Sequence, residues 1–423
     1  MQPLPPLPDW VTLEHDVATI LTQQQLHGWY FDDRAAWKLA SSLRRELEET
    51  YQVLRDRHPF VAGAEFTPKR NNGPAGYVEG ATFTRLKELN PTSRDHISWI
   101  LQEKHGWKPK QLTPTGKPII DEVILKDIGT ETALQFLKCL DITKKLGMIS
   151  EGVNAWLKLC TTSNRVHHYC SVATNTHRCA HRKPNLSQVP SDHDCRQLFK
   201  PTPGNIMVGA DLAGIELRML AHYLARYDGG RYADILLNGD IHQVNADKIG
   251  ITRRLVKAIS YCFTYGGGNL KLGKTYDPQL SDDAAKEKGA EIRKSFVSSI
   301  DGLAKLLAAI KEASKRGYVN SIDGRPIKVD SQHKALNYLL QSGAGVIAKR
   351  WMVLANEQIT KENLPCNQLA FVHDELQFET TPNYADSLSA LLERSAKHAG
   401  EYYNLRIPIA AEASVGNSWA ETH

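Results

Sequence analysis

The residues best suited to chemistry in this 423-residue chain fall in four short segments. The first is Val208-Gly-Ala-Asp211-Leu-Ala-Gly-Ile-Glu216-Leu-Arg218. The apolar run from Ile206 to Ala210 predicts a buried strand, and the chain turns helical from Glu216. Asp211 then stands at the strand end, where a carboxylate is held on rigid support at the mouth of a sheet. A helix cap is the alternative role for such an acid. The second segment, Phe371-Val-His373-Asp374-Glu375-Leu-Gln377, puts adjacent acids at the tip of a hairpin predicted over Leu369 to Phe378. Neighbouring carboxylates repel unless something neutralises them. A divalent cation does so, and Mg²⁺ favours one or two carboxylates plus substrate phosphates. A solvated turn is the bland alternative, but apolar strand residues flank this pair rather than Gly, Asn and Ser.

The third segment is Arg253-x3-Lys257-x3-Tyr261-x3-Tyr265-Gly266-Gly267-Gly268. A spacing of four drifts only about 40° per step on a helix, so the four side chains share one broad face. Two cations near one end suit phosphates, and two aromatics near the other suit stacking on a sugar or base. The glycines then end the helix. A solvated basic stripe beside core aromatics is the competing reading. The fourth segment, Ser163 to Lys200, carries six Lys/Arg, two Asp and five His. Its net charge of +4 suits a surface that tracks phosphates. The spacings of Cys170, His177, Cys179, His181, His193 and Cys195 match no standard zinc pattern. Scattered, individually satisfied His and Cys are the expectation there.

The elements that must position these residues follow from periodicity and punctuation. Residues 11–27 read as a helix closed by Gly28. Asp32 or Asp33 caps a long amphipathic helix whose stripe is Ala35, Leu39, Leu43, Leu47, Tyr51 and Leu54. The Gly- and Pro-rich stretch from Pro59 to Gly80 reads as a loop. Ser93 caps a further helix. Residues 152–200 hold short strands at most, and residues 333–360 read as a long helix. After the hairpin come a helix at 384–400 and a short strand at 407–411. Helical blocks around a few strands predict an α+β fold with more than one lobe.

Composition narrows the classes. With 41% hydrophobic and 23% charged residues the chain is globular, not disordered. No apolar run approaches the ~18 residues that span a bilayer, and the Pro-rich start lacks the pattern of a secretory signal. Seven scattered cysteines do not form a disulfide scaffold, so a reducing cytoplasm fits. The net charge of +5 permits a polyanionic partner without demanding one.

Together the segments resemble the family A (Pol I-like) DNA polymerases. The strand ending in Asp211 with Glu216 looks like motif A. Arg253, Lys257, Tyr261, Tyr265 and Gly266 match motif B, and His373-Asp374-Glu375 looks like motif C. Asn90-Pro-Thr-Ser-Arg-Asp-His96, Leu220 to Asp228, Asn238 to His242 and Ala335-Leu-Asn337-x3-Gln341-Ser342 point to the T-odd phage replicative branch. The resemblance runs from about residue 12 to the C-terminal region, where Gly416-Asn-Ser-Trp419 looks like the family's end. It implies a right hand with an antiparallel palm sheet and mostly helical fingers and thumb. Residues 1–32 form a lead and helix, 33–150 the thumb, 151–222 and 321–423 the palm, and 223–320 the fingers.

The implied activity is template-directed extension of a primer 3′-hydroxyl with dNTPs, in phage DNA replication in the cytoplasm of an infected host. Asp211 and Asp374 are the implied ligands of two Mg²⁺ ions, with Glu375 a supporting acid. His242, Arg253 and Lys257 hold the triphosphate, and Lys257 is also the proton donor to pyrophosphate. Glu216 closes the space beside the sugar 2′-carbon. Tyr261 packs on the incoming sugar, and its hydroxyl implies ready acceptance of dideoxynucleotides. Tyr265 occupies the template-stacking place. Arg178, Gln341 and His373 check the primer end, and Gln188 is a further DNA contact.

Three departures from the family matter. His177 stands where Gly is usual, and a Cβ disfavours a glycine-only conformation, so a different local turn is expected. The segment between about Arg57 and Tyr77 is short, so no thioredoxin dependence is expected. The first thirty residues hold no D-x-E strand motif, so any proofreading is expected from another polypeptide, through a split gene or because the chain is a fragment, and a separate 3′–5′ exonuclease chain or other replisome proteins are the partners to expect. Two other readings stand beside the polymerase: a single-subunit RNA polymerase, against which Glu216 argues, and a non-catalytic DNA clamp, against which the complete residue set argues.

Overall fold

The computed structural model describes residues 6–172 and 174–423. They separate into two compact units, one of residues 36–155 and one of residues 1–35 together with 156–423.

In the 36–155 unit, the helix Asp33–Arg57 supplies the first wall. Asp32 caps it, its Oδ1 accepting from Ala35 N at 2.9 Å. The helix buries Ala36, Ala40, Leu43, Thr50 and Leu54, a face rotated slightly from the predicted stripe. Leu54 joins Ile97, Ile100, Leu101, Leu125 and Phe136 from three further helices in one core. The helix Arg94–His105 starts at Ser93, whose side chain accepts from His96 N. The expected loop over 59–80 is corrected. Phe60–Phe66 pairs antiparallel with Phe83–Glu88, and only the connection between them is irregular. The mostly apolar run Phe60-Val-Ala-Gly-Ala-Glu-Phe66 carries this strand, and Phe66, Tyr77 and Phe83 cluster to hold the hairpin's end.

In the larger unit, a four-stranded antiparallel sheet runs Cys366–Val372, Glu375–Thr380, Ile206–Leu212, Ala411–Gly416. The strand predicted at 407–411 lies later, at Ala411–Gly416. Pro408 has no N–H to give a ladder, and Ile407 and Ile409 are buried as core residues instead. The Glu375–Thr380 strand is buried along its whole length. Leu376 and Phe378 face the main core, which also takes residues of the helices Ile215–Asp228, Ala335–Glu362 and Ala385–Tyr402. The alternate residues Glu375, Gln377 and Glu379 are polar and face the other side. There the C-terminal turn covers the sheet, with Thr422 donating to Gln377 Oε1 at 2.8 Å. A Cβ at Gly209 would lie 2.4 Å from Gln377 Nε2 and 2.5 Å from Thr422 O, so only glycine admits this cover.

The N-terminal helix Asp9–His27 belongs to the same unit. Glu14 accepts from the buried Lys349 at 2.7 and 2.8 Å, and Asp9 accepts from Arg350 at 2.8 Å. Residues 231–314 form six helices. Among them Arg253–Thr264 starts at the cap Thr252, and Gly266 leaves its end at φ 76°, as the glycine run implied.

Candidate active site

The strand pairing decides where the acids meet. Asp211 lies opposite Glu375 on one side and Glu412 on the other. Val372 pairs with Glu375, so His373 and Asp374 form a two-residue tip. His373 takes φ 61° there, a conformation that costs a non-glycine residue about 1 kcal/mol. The Asp374 carbonyl accepts from Leu212 N at 3.0 Å, which fixes the tip beside the end of the Asp211 strand.

The two aspartates are half-buried, and among the described residues neither forms a salt bridge. Burial first, and then the charges of Asp211 and Glu216, push Asp374 up to about 7. Burial and then Glu375 push Asp211 up to about 6. Such a pair resists ionising near neutrality unless positive charge is brought in.

Glu375 is different. It is 4% exposed and surrounded by donors. Trp419 Nε1 and Gln377 Nε2 both donate to Oε1, the latter at 2.7 Å, and His423 Nδ1 lies 3.0 Å from Oε2. Ligand atoms of Asp211, Glu375 and His423 lie within 4.8 Å of one another. The buried Arg196, 4.7 Å over the Trp419 ring, adds a positive charge felt by both acids. The sequence reading missed Arg196, Gln377 and His423. Trp419 was noticed only as part of a terminal motif.

A second junction forms around Glu216 in the first turn of its helix. Its Oε1 accepts from Arg178 at 2.6 Å and from the Tyr265 hydroxyl at 3.0 Å. Burial and Glu216 push Tyr265 up to about 12, so it remains a phenol. Arg178 follows His177, which does adopt the left-handed conformation, φ 61°. The expected change of turn is therefore corrected. The His177 ring bonds Ser342 Oγ at 2.6 Å, which offsets the strain.

On the Arg253–Thr264 helix, Arg253, Lys257 and Tyr261 are exposed in sequence order along one side. Arg253 donates to Asp240 at 2.6 Å. Asp240 also caps the helix of His242, accepting from His242 N and Gln243 N. The buried His242 ring lies 6.2 Å from Tyr261, and its Nδ1 has no partner. Asn337, one turn before the half-buried Gln341, donates to Thr264 O at 2.9 Å and ties the long helix to this one. Gln188 is exposed in a separate turn.

Two unneutralised carboxylates thus stand at the open end of an antiparallel sheet, in the same compact unit as a helix that exposes Arg253 and Lys257, and the comparisons set this unit in the polymerase class. The family model for DNA polymerase family A matches residues 76–421. The DNA-directed DNA polymerases of Enterobacteria phage T3 and Escherichia phage T7 are each 30% identical, over 98% of this chain and 70% of theirs. That of Escherichia phage Phieco32 is 33% identical over 98% of this chain and 78% of its own. In fold, the chain is similar to the POL domain of Pol1 from M. smegmatis, solved in complex with DNA primer-template and dNTP. The TM-score is 0.79 at 22% identity, covering 96% of this chain and 70% of that one. The chain belongs to DNA polymerase family A, and it is the polymerase domain of a DNA-directed DNA polymerase.

Proposed function

We propose that this polymerase works by two-metal phosphoryl transfer, with Asp211 and Asp374 as the metal ligands. The supporting observation is that these two acids combine partial burial and mutual repulsion, and that neither forms a salt bridge among the described residues. Carboxylate oxygens are hard donors, and a divalent ion relieves the charge that burial penalises, so the residues fit Mg²⁺. Bound there, two such ions supply activation of the primer hydroxyl and neutralisation of the triphosphate and leaving pyrophosphate.

The chain's own groups do the rest. Arg253, Lys257 and the Nδ1 or Nε2 of His242 hold phosphate oxygens, and Arg253 exchanges Asp240 for the nucleotide. Lys257 donates the proton to pyrophosphate. Tyr261 packs on the sugar, and Glu216 fills the space where a 2′-hydroxyl goes. Tyr265 stacks beside the template and is held from Glu216 until the pocket fills. Arg178, Gln341 and His373 contact the primer end, the first two through minor-groove acceptors that every correct pair shares. Gln188 touches the DNA backbone. Glu375 acts as a support that holds the sheet end rather than as a ligand, since its oxygens are already engaged.

The lobes follow the same reading: thumb at 33–150, fingers at 223–320, palm from the remainder. The compactness of residues 36–155 supports the first boundary. Primer-template DNA and dNTPs are the partners. No helix among the described residues is long and apolar enough to cross a membrane, and we place the activity in the host cytoplasm.

Primer extension with Mg²⁺, using matched and 3′-mismatched primers and both dNTPs and rNTPs, tests this. Extension with dNTPs, without mismatch removal, is expected. Efficient use of rNTPs supports the RNA polymerase reading instead, and extension that survives Asp374→Ala removes the proposed ligand set.

A further inference from the structure

Behind the motif C tip lies a second cluster that the polymerase reaction does not use. The strands Tyr169–Ser171 and Ala180–Arg182 form a small hairpin in which Cys170 stands opposite His181. Cys170 Sγ is 3.3 Å from His181 Nδ1. His168, two residues before Cys170, stacks its ring on His181 with centroids 6.1 Å apart and planes 18° from parallel. One ligand atom from each of the three lies within 4.8 Å of the others.

The expectation of individually satisfied side chains holds only in part here: His168 Nε2 bonds the Gln24 amide and His181 Nδ1 bonds Cys170, but the second nitrogen of each ring is bare. His168 is 1% exposed and His181 7% exposed. His168 Nδ1 and His181 Nε2 have no hydrogen-bond partner. No carboxylate pairs with either ring among the described residues. Two buried imidazoles and a thiol facing one another, with no acid to charge them, are a donor set lacking an acceptor. Burial keeps both rings neutral, and a neutral imidazole offers a lone pair. Cys170 is not consumed by a disulfide.

We propose that His168, Cys170 and His181 bind a soft or borderline divalent metal, zinc by preference, as a structural site. Zinc takes thiolate at about 2.3 Å and imidazole at about 2.0–2.1 Å, so tetrahedral S and N donors lie about 3.5 Å apart. The Cys170–His181 separation of 3.3 Å already matches. The donors' softness rejects Mg²⁺. The Gln24 side-chain amide donates to His168 Nε2 at 3.0 Å and to Cys170 Sγ at 3.9 Å, and a metal held by those two atoms would take the place of these bonds. The site pins a hairpin whose connecting turn carries His177 and Arg178. Its His181 ring also meets the His373 ring edge-on at 5.8 Å. Metal here therefore steadies residues that face the primer end without touching the reaction.

Zinc titration of the chelator-stripped full chain, followed with a competing chromophoric chelator, tests the site without any variant. One equivalent bound with sub-micromolar affinity is expected. Cobalt loading should give a thiolate-to-cobalt charge-transfer band that Cys170→Ser removes, with zinc affinity falling at least tenfold in His181→Gln. Mg²⁺-dependent primer extension by both variants reports that they fold. Binding weaker than 100 micromolar in the wild type, or identical cobalt spectra in wild type and Cys170→Ser, overturns the proposal.

Discussion

The tip of the main sheet and the small hairpin behind it are both clusters of buried titratable groups, and they are opposites. At the tip, Asp211 and Asp374 are hard oxygen donors left without a cation and forced toward protonation. In the hairpin, His168, Cys170 and His181 are soft donors that burial keeps neutral. Glu375 differs from both: it is an acid more buried than either aspartate yet bonded by Trp419, Gln377 and His423. The contrast separates two uses of burial. An acid with its donors supplied is structure. An acid denied them, at an accessible strand end, is a place for charge that arrives with substrate.

The largest expected effect tests that separation directly. Asp374→Ala or Asp211→Ala should lower primer extension at least about a thousandfold, the rate equivalent of the several kcal/mol a metal contributes. Primer-template affinity, read by a mobility shift, should change little. Cys170→Ser in the same assay should retain activity within a few fold, since its cluster lies outside the chemistry.

Next in size is a stability effect at Glu375. Glu375→Ala strands the Trp419 and Gln377 donors, and each unsatisfied buried group costs about 1–3 kcal/mol. Denaturant unfolding should therefore show Glu375→Ala destabilised, whereas Asp374→Asn is stabilised at pH 8 in chelator. Equal effects from the two substitutions would erase the distinction between them.

A pH series measures the same strain. Asp374 has a folded value of about 7 against an ordinary value of 3.8, so the folded chain holds more protons between those limits. Stability in chelator should then fall as pH rises from about 4 to 7, and level off outside that window. Mg²⁺ added at pH 8 should restore it, and Asp374→Asn should flatten the slope. The smallest effect is on selectivity. Tyr261→Phe should leave dNTP incorporation near wild type while raising discrimination against dideoxynucleotides, read by chain-termination ratios.

Much of the site was legible because its signals are local. An apolar run ending in Asp211, adjacent acids inside an apolar strand pair, and cations and aromatics four apart on one helix each need only a few neighbouring residues to be recognised. The errors were also physical. The 59–80 stretch reads as a loop from its glycines and prolines, most of which lie in the hairpin's connection, while Gly63 sits at the irregular step of the first strand. The terminal strand, expected at 407–411, lies at Ala411–Gly416, because the burial of Ile407 and Ile409 serves the core rather than the ladder. His177 was judged by its Cβ alone, when Ser342, far along the chain, supplies the bond that offsets its left-handed backbone.

The sequence by itself determined which groups this polymerase offers to the proposed metal, phosphate and base contacts, and in what order, because motif spacing and strand or helix period are properties of a few consecutive residues. Only the tertiary structure decided which acid is free. Asp374 and Glu375 are neighbours in sequence, but alternation along the strand turns Glu375 toward Trp419 and His423 and leaves Asp374 at the tip beside Asp211. The same holds for His168, Cys170 and His181, whose convergence depends on hairpin register. Register is set by pairing across the fold, and no spacing rule along one chain segment carries it.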